Sequence, residues 1–353
     1  MKILITGGAG FIGQHLARRL VADGHEVTAF DSFLTQVHSD PDRARQTFPG
    51  DVVIANVADE ENWHGLSGYD GLIHLAAETG TGQSMYEQDR YHAVNVGGTR
   101  NAARWAARHA VPIVSLSSRA VYGEGRVQWP DGSITCGTRR DNEARALDST
   151  EDDEHCPVSV YGETKSLAET ALLEETADAV ASAIIRPQNV IGAGQALHNP
   201  YTGVLAAFLA RLREGRAISI YGDGEQTRDF VHVSDVAAVI AWSLCHINET
   251  RESIVVNAGS GVRITLNDLA RFAIDGSPRN EVEIEHVDVE RAGDILDACA
   301  DLRRLRMLGG PEPQVSPADA VADFIRRSWT AEGADSAVWD SALEELQARG
   351  LTR

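Results

Sequence analysis

Tyr161 and Lys165, in Tyr161-Gly162-Glu163-Thr164-Lys165, stand four residues apart. That spacing puts both side chains on one face of a helix. A phenol titrates near about 10 and is a poor base at neutral pH. A neighbouring positive charge favours the phenolate and lowers that pKa, so the pair has the makings of a general base. Upstream, Ser117 and Ser118 close an apolar run, and their hydroxyls are suited to binding a substrate oxygen. Lys165 is one of two lysines, with Lys2, in a chain whose other cations are arginines. A lysine kept in such company marks a place where a guanidinium does not serve.

A second set of residues would hold a cofactor. Gly7-Gly8-Ala9-Gly10-Phe11-Ile12-Gly13 follows the apolar run Lys2–Thr6 and leads into a helical pattern at 11–22. Gly7 permits the tight turn, Gly10 lets the backbone approach a pyrophosphate, and Gly13 lets the helix lie close on the sheet. The phosphates then sit at the positive end of the helix. Asp31 ends the next apolar run, about 20 residues on, where a carboxylate binds ribose hydroxyls and repels a 2′-phosphate. That favours NAD over NADP; the bland alternative is that Asp31 caps a turn. An oxidised nicotinamide would add a second positive charge beside Tyr161.

The elements that must position these groups can be read from periodicity. Strands are expected at Lys2–Thr6, Glu26–Phe30, Asp51–Ala55, Gly71–Ala76, Pro112–Ser117 and Ala181–Arg186, with helices at 11–22, 86–109 and 161–178. This alternation predicts an α/β fold: a Rossmann-type doubly wound parallel sheet with helices on both faces. Beyond Arg186 the rhythm breaks into helical 201–214, strand-like Ala217–Tyr221, helical 234–247 and strands at 253–257 and 282–288. The expected division is a dinucleotide-binding domain of residues 1–187 and 233–257, and a smaller discontinuous α/β lobe of 188–232 and 258–353. Residues 123–156 are polar and read as a long connecting excursion: a lid, an oligomer contact or a solvated loop.

Composition excludes several classes. The 353 residues are 43% hydrophobic, which argues against disorder, and no run of 18 apolar residues predicts a membrane span. The apolar run at the N-terminus is too short for a signal peptide and reads as a buried strand, so a soluble, cytoplasmic protein is expected. A net charge of −20 opposes nonspecific nucleic-acid binding. Cys136, Cys156, Cys245 and Cys299 lack ligand spacing and read as free thiols, and the histidines, among them His74, His155 and His232, predict no metal site.

Taken together, GGAGFIG (7–13), HLAA (74–77), NVGGT (95–99), SSRAVYG (117–123), YGETK (161–165), RPQNVIGAGQ (186–195), QTRDFVHVSD (226–235), NAGSG (257–261) and RAGDI (291–295) resemble the extended short-chain dehydrogenase/reductase family. Within it the chain is similar to the NAD-dependent nucleotide-sugar epimerase/dehydratase group. The likeness runs from residue 2 to about 330. It implies a catalytic triad of Ser118, Tyr161 and Lys165. It implies NAD contacts at Gly7, Gly10, Phe11, Ile12, Gly13, Asp31, Asn56, Val57, Leu75, Ala76, Ala77, Asn95 and Pro187, besides Tyr161 and Lys165. Substrate contacts are implied at Thr79, Ser118, Asn189, Arg228 and Arg291, the two arginines suiting a diphosphate. Pairing through the helices at 86–109 and 161–178 implies a homodimer.

The residues after Ser118 bear on the reaction. Relatives that eliminate water across C5–C6 carry Asp-Glu there, and sugar-acid decarboxylases tend to keep the Glu; this chain has Arg119-Ala120. Epimerisation at C4 needs neither carboxylate. HLAAETGTGQSMYE (74–87), SSRAVYGEG (117–125) and GQALHNPYTGVL (194–205) look like the subgroup of 4-epimerases of deoxysugar and antibiotic pathways. The expected function is therefore a nucleoside-diphosphate-sugar 4-epimerase, with a dTDP-deoxysugar or related hexose or heptose as substrate. The alternatives are a dehydrogenase or 4-ketoreductase with net redox change, and, more remotely, a non-catalytic NAD-binding sensor or scaffold.

Overall fold

The strand Lys2–Thr6 shows how the sequence dictates the centre of the molecule. Ile3 and Ile5 point to one face and Leu4 to the other, and all three are buried, as a strand covered on both sides requires. In the computed structural model of the chain, which describes residues 1–137, 143–199, 203–288, 294–333, 336–337 and 339, this strand lies within a seven-stranded sheet. Its order is Ile254–Ala258, Ser182–Pro187, Ile113–Leu116, Gly71–His74, Lys2–Thr6, Glu26–Asp31, Asp51–Ile54. Every neighbouring pair is parallel. The chain winds outward from Lys2–Thr6 to Asp51–Ile54, then returns to build from Gly71–His74 the other way. The reversal opens a crevice at the carboxyl ends of these two central strands, where doubly wound sheets bind their ligands.

Helices cover both faces. Phe11–Ala22 and Val233–Thr250 bury Leu16, Leu20, Val236, Ile240 and Leu244 against Ile3, Ile5 and Ile73. On the other side Gly98–His109 and Val160–Thr176 bury Ala102, Trp105, Ala106 and Leu172 against Leu4, Leu72 and Ile113. A third apolar cluster forms away from the sheet. It joins Phe208 and Leu209 of helix Val204–Glu214, Ile218 and Ile220 of strand Ile218–Tyr221, Leu269 of helix Leu266–Asp275 and Phe324 of helix Pro317–Ser328. Three two-stranded pairings accompany it: Asn189–Ile191 with Phe230–His232, Ile218–Tyr221 with Ile284–Val287, and Thr227–Arg228 with Ile264–Thr265.

Two expectations are corrected. The helix expected over 86–109 is interrupted: a short helix Gln88–Tyr91 gives way to a widened π-type turn, His92–Gly97, before Gly98–His109. The buried Asn95 at its centre is held by the backbone of Glu78 and by Thr164, and such side-chain ties often mark wide turns at functional sites. The stretch 123–156 is no plain loop either. Arg126–Gln128 pairs antiparallel with both Ile134–Cys136 and Arg145–Leu147, forming a small three-stranded sheet. The four cysteines are free. No helix among the described residues is long and apolar enough to cross a membrane.

Candidate active site

The turn after the first strand is one that only glycine can make. Gly7 has φ +64°, and a Cβ there would lie 2.8 Å from the Ala76 amide nitrogen; a Cβ on Gly13 would lie 2.4 Å from the Gly8 carbonyl oxygen. Both distances are shorter than any real contact, so the loop, the first helix and the 75–77 segment meet with no room for side chains. Helix Phe11–Ala22 then starts at Gly10 without a side-chain cap, leaving its first amides available to a phosphate.

Asp31 closes the second strand. Its Oδ2 accepts from the Ala9 amide at 3.1 Å and its Oδ1 from the Phe33 amide at 2.9 Å. His38 Nε2 lies 3.5 Å from Oδ1. The carboxylate therefore ties the glycine turn to the sheet and caps its own turn, and it also lines the cavity. The two readings of Asp31 are thus compatible.

Tyr161 and Lys165 stand on helix Val160–Thr176, whose N-terminus is set by Ser159 Oγ accepting from the Gly162 amide at 3.1 Å. The Ser84 hydroxyl accepts from the Tyr161 amide at 3.0 Å. Ser118 stands just beyond strand Ile113–Leu116, its hydroxyl accepting from the Ala120 amide at 3.1 Å and near enough to the Tyr161 phenol to favour its ionised form. The Lys165 ammonium donates to the Leu116 carbonyl at 2.7 Å.

The electrostatics correct one expectation. Burial raises the Tyr161 pKa, with the Ser118 hydrogen bond opposing. Burial likewise pushes Lys165 down to about 8, against the pull of the Glu169 carboxylate. The chain alone thus does not favour the phenolate: the phenol is desolvated and the ammonium is committed to a main-chain carbonyl.

Beneath the triad lies a buried network that the sequence reading missed. Arg186 donates Nε to Glu169 Oε1 at 2.9 Å and Nη2 to Oε2 at 2.7 Å, and Nη1 to the Tyr122 hydroxyl and the Glu151 carbonyl, each at 3.0 Å. The Ser117 hydroxyl also donates to Glu169, and Tyr122 to Asn257 at 2.7 Å. A signal was present: an arginine within the wholly buried run Ser182–Pro187 needs a partner, and Glu169 stands four residues after Lys165. His155 joins this network through Arg186 and Ser166. His74 bridges Thr6 and Thr99, and burial holds its pKa at about 3, so it is a neutral structural residue.

One cavity of about 1010 Å³ connects these groups. Gly7, Gly10, Phe11, Ile12, Gly13, Asp31, Asn56, Val57, Leu75, Ala76, Ala77 and Thr79 line it at one end. Ser118, Arg119 and Tyr161 follow, then Asn189, Arg228 and Asp294. Three expected cofactor residues stand outside its wall. Asn95 fixes the Glu78 main chain, Lys165 is enclosed behind Leu116, and Pro187 is buried in its strand, with Gln188 and Asn189 forming the wall beside it. Arg228 donates to Asp294 and, at 2.8 Å, to the Thr227 carbonyl. Arg291 lies outside the described residues. Glu78 and Arg90, also missed, pair at 2.7 Å on the cavity wall; burial raises the Glu78 pKa while Arg90 opposes it. Among the described residues no cluster of His, Cys, Asp or Glu could hold a metal ion.

The glycine cradle, the uncapped helix start and the Asp31 carboxylate fit a dinucleotide. Comparison with known proteins agrees. The profile of the NAD dependent epimerase/dehydratase family matches residues 3–259. The dTDP-L-rhamnose 4-epimerase of Burkholderia thailandensis is 36% identical, over 95% of this chain and 96% of its own. The UDP-N-acetyl-alpha-D-glucosaminuronate decarboxylase of Bacillus cytotoxicus is 29% identical, covering 92% and 97%. Among solved structures, the UDP-glucose 4-epimerase of Thermotoga maritima with UDP-glucose superposes with a TM-score of 0.76 at 26% identity, covering 93% of this chain and 98% of that one. The chain belongs to the NAD-dependent epimerase/dehydratase family of extended short-chain dehydrogenases/reductases, with NAD as its cofactor.

Proposed function

We propose that the protein is a nucleoside-diphosphate-sugar 4-epimerase working through a transient 4-keto sugar. The observation that carries this reading is the state of the acids in the cavity. Its three described carboxylates, Asp31, Glu78 and Asp294, are respectively engaged by backbone amides, by Arg90 and by Arg228. Glu124, just past the triad serine, accepts from the Leu296 amide at 2.9 Å. Among the described residues no unengaged carboxylate lines the cavity to serve as acid or base of an elimination, whereas epimerisation needs only the triad.

Tyr161 takes the proton of the C4 hydroxyl while Ser118 hydrogen-bonds that oxygen. The glycine turn and Asp31 would hold NAD, which when bound would take the C4 hydride, give it back to the opposite face, and add a positive charge favouring the Tyr161 phenolate. Lys165, on the same helix, is a buried cation donating to the Leu116 carbonyl. Arg228 holds the diphosphate while the sugar turns its other face, and Tyr161 returns the proton. In this reading residues 1–187 and 233–257 hold the cofactor, and 188–232 and 258–353 hold the nucleotide sugar. Arg291 belongs with Arg228 on the diphosphate.

The similarity to a dTDP-L-rhamnose 4-epimerase supports a dTDP-deoxysugar or related hexose or heptose as substrate. The exposed Val158, Leu167 and Leu173, the latter two on helix Val160–Thr176, support a homodimer.

The test is to incubate the purified protein, without added cofactor, with a panel of nucleotide sugars beginning with dTDP-L-rhamnose. NMR should show a C4 epimer of equal mass with no net NADH. Turnover only with stoichiometric added cofactor would replace this reading with a dehydrogenase or ketoreductase. Bound NAD with no turnover of any member would point to the sensor.

A further inference from the structure

Arg119 follows the triad serine directly and lines the cavity, yet it is provided for unlike the arginines around it. Arg90 on the same wall has Glu78 and Glu87, at 2.7 and 2.9 Å, and Arg228 has Asp294. Arg119 has one recorded side-chain bond, from Nη2 to the Gly123 carbonyl at 2.6 Å. Its Nε is buried without a partner. No carboxylate among the described residues lies within ion-pairing distance of it.

That carbonyl is held firmly in place. Gly123 has φ +58°, and a Cβ on it would lie 1.9 Å from the Cys156 carbonyl oxygen, so the turn presenting the acceptor cannot drift. The guanidinium is anchored by one edge while the rest of its donors have no protein acceptor. Burial and then the like charge of Arg228 push its pKa down to about 10, with the Glu124 and Asp294 carboxylates opposing. Arg228 is thus paired with Asp294, whereas Arg119 has no ion pair among the described residues.

We propose that Arg119 is a specificity-determining contact to the substrate's diphosphate, offering the anion guanidinium donors that no carboxylate among the described residues engages. A planar guanidinium on the diphosphate holds one end of the link about which the sugar must turn. This inference rests on the nucleotide-sugar reading above, but its test does not depend on turnover.

The experiment is calorimetric titration of the NAD-containing protein with dTDP, dTMP, UDP and UMP, for the wild type, Arg119→Gln and Arg119→Lys. Gln keeps a donor for the Gly123 carbonyl and removes the charge. The wild type should prefer the diphosphate over the matching monophosphate. Arg119→Gln should lose that preference by ~10–100-fold, as for one charged hydrogen bond, with bound NAD and melting temperature unchanged. Arg119→Lys should fall between, since an ammonium lacks the fork. An Arg119→Gln protein with the wild-type ratio and full NAD overturns the proposal and leaves the epimerase reading intact. Wild-type protein that binds none of the four overturns the nucleotide-sugar reading itself. If Arg119→Gln does not fold, Arg119→Lys decides: a ratio equal to wild type overturns the contact, and a reduced one supports it.

Discussion

At the scale of single residues, Tyr161 and Lys165 are both desolvated, and each pKa is moved away from its charged form. Tyr161→Phe removes the proton acceptor without touching the glycine cradle. Its turnover should fall by ~10²–10⁴-fold, with NAD still released on denaturation in stoichiometric amount. A near-normal rate would remove Tyr161 from the role of base. For Lys165 the sign can be worked out. Its folded pKa of about 8 lies below the ordinary 10.5, so between these values the unfolded chain binds more protons and stability rises with pH. Below about pH 8 the cost of burying the ammonium is fully present. Denaturation at pH 8 and pH 10 should show wild type gaining stability relative to Lys165→Met as pH rises. An unchanged difference would mean the ammonium is not buried as described.

Elements decide whether these residues meet. The glycine turn joins the first strand, the first helix and the 75–77 segment at distances that exclude a Cβ. Gly13→Ala would drive a methyl into the Gly8 carbonyl and force the helix start off the sheet. The expected result is loss of copurifying NAD together with destabilisation by about 1–3 kcal/mol, read by absorbance and by urea melts. Retained NAD would show that the turn can relax. Helix Val160–Thr176 is locked one turn below Lys165 by Glu169, which Arg186 and Ser117 hold from the neighbouring strands. Asp229 works similarly between two loops. Its buried carboxylate accepts from the Ser260 amide and hydroxyl, both at 2.7 Å, and from the amides of Gly261 and Ala300 at 3.1 and 3.2 Å. That anchors the strand carrying Arg228.

For the whole molecule, the reversal of strand order beside Lys2–Thr6 places the glycine turn, Ser118 and Tyr161 on one crevice, and the third apolar cluster carries the far wall of the cavity. The outer face of helix Val160–Thr176 leaves Leu167 and Leu173 41% and 46% exposed, more apolar surface than a helix buried on one side needs to show. If that face pairs two copies, Leu167→Glu/Leu173→Glu should convert a dimer to a monomer in light scattering while leaving the fold intact by circular dichroism. A wild-type protein already monomeric at micromolar concentration would sink the dimer.

The sequence by itself determined the sheet and the cofactor. Alternating apolar runs and helical periods are local, and a strand buried on both faces or a turn that excludes Cβ atoms writes itself into consecutive residues. Lys2–Thr6, Phe11–Ala22 and Gly7 to Gly13 were legible for that reason, as was the Tyr161–Lys165 spacing. What only the tertiary structure decided depends on residues far apart in the chain. Asn95, 17 residues from Glu78 and 69 from Thr164, widens a helix that periodicity alone would continue. The strand pairing within 123–156 is fixed by cross-strand partners in a stretch with no apolar alternation. Likewise the pKa of Lys165, the pairing of Arg228 with Asp294 and the unpartnered Nε of Arg119 follow from burial and from which groups face one another. Those are properties of folded space, which neighbours in sequence do not encode.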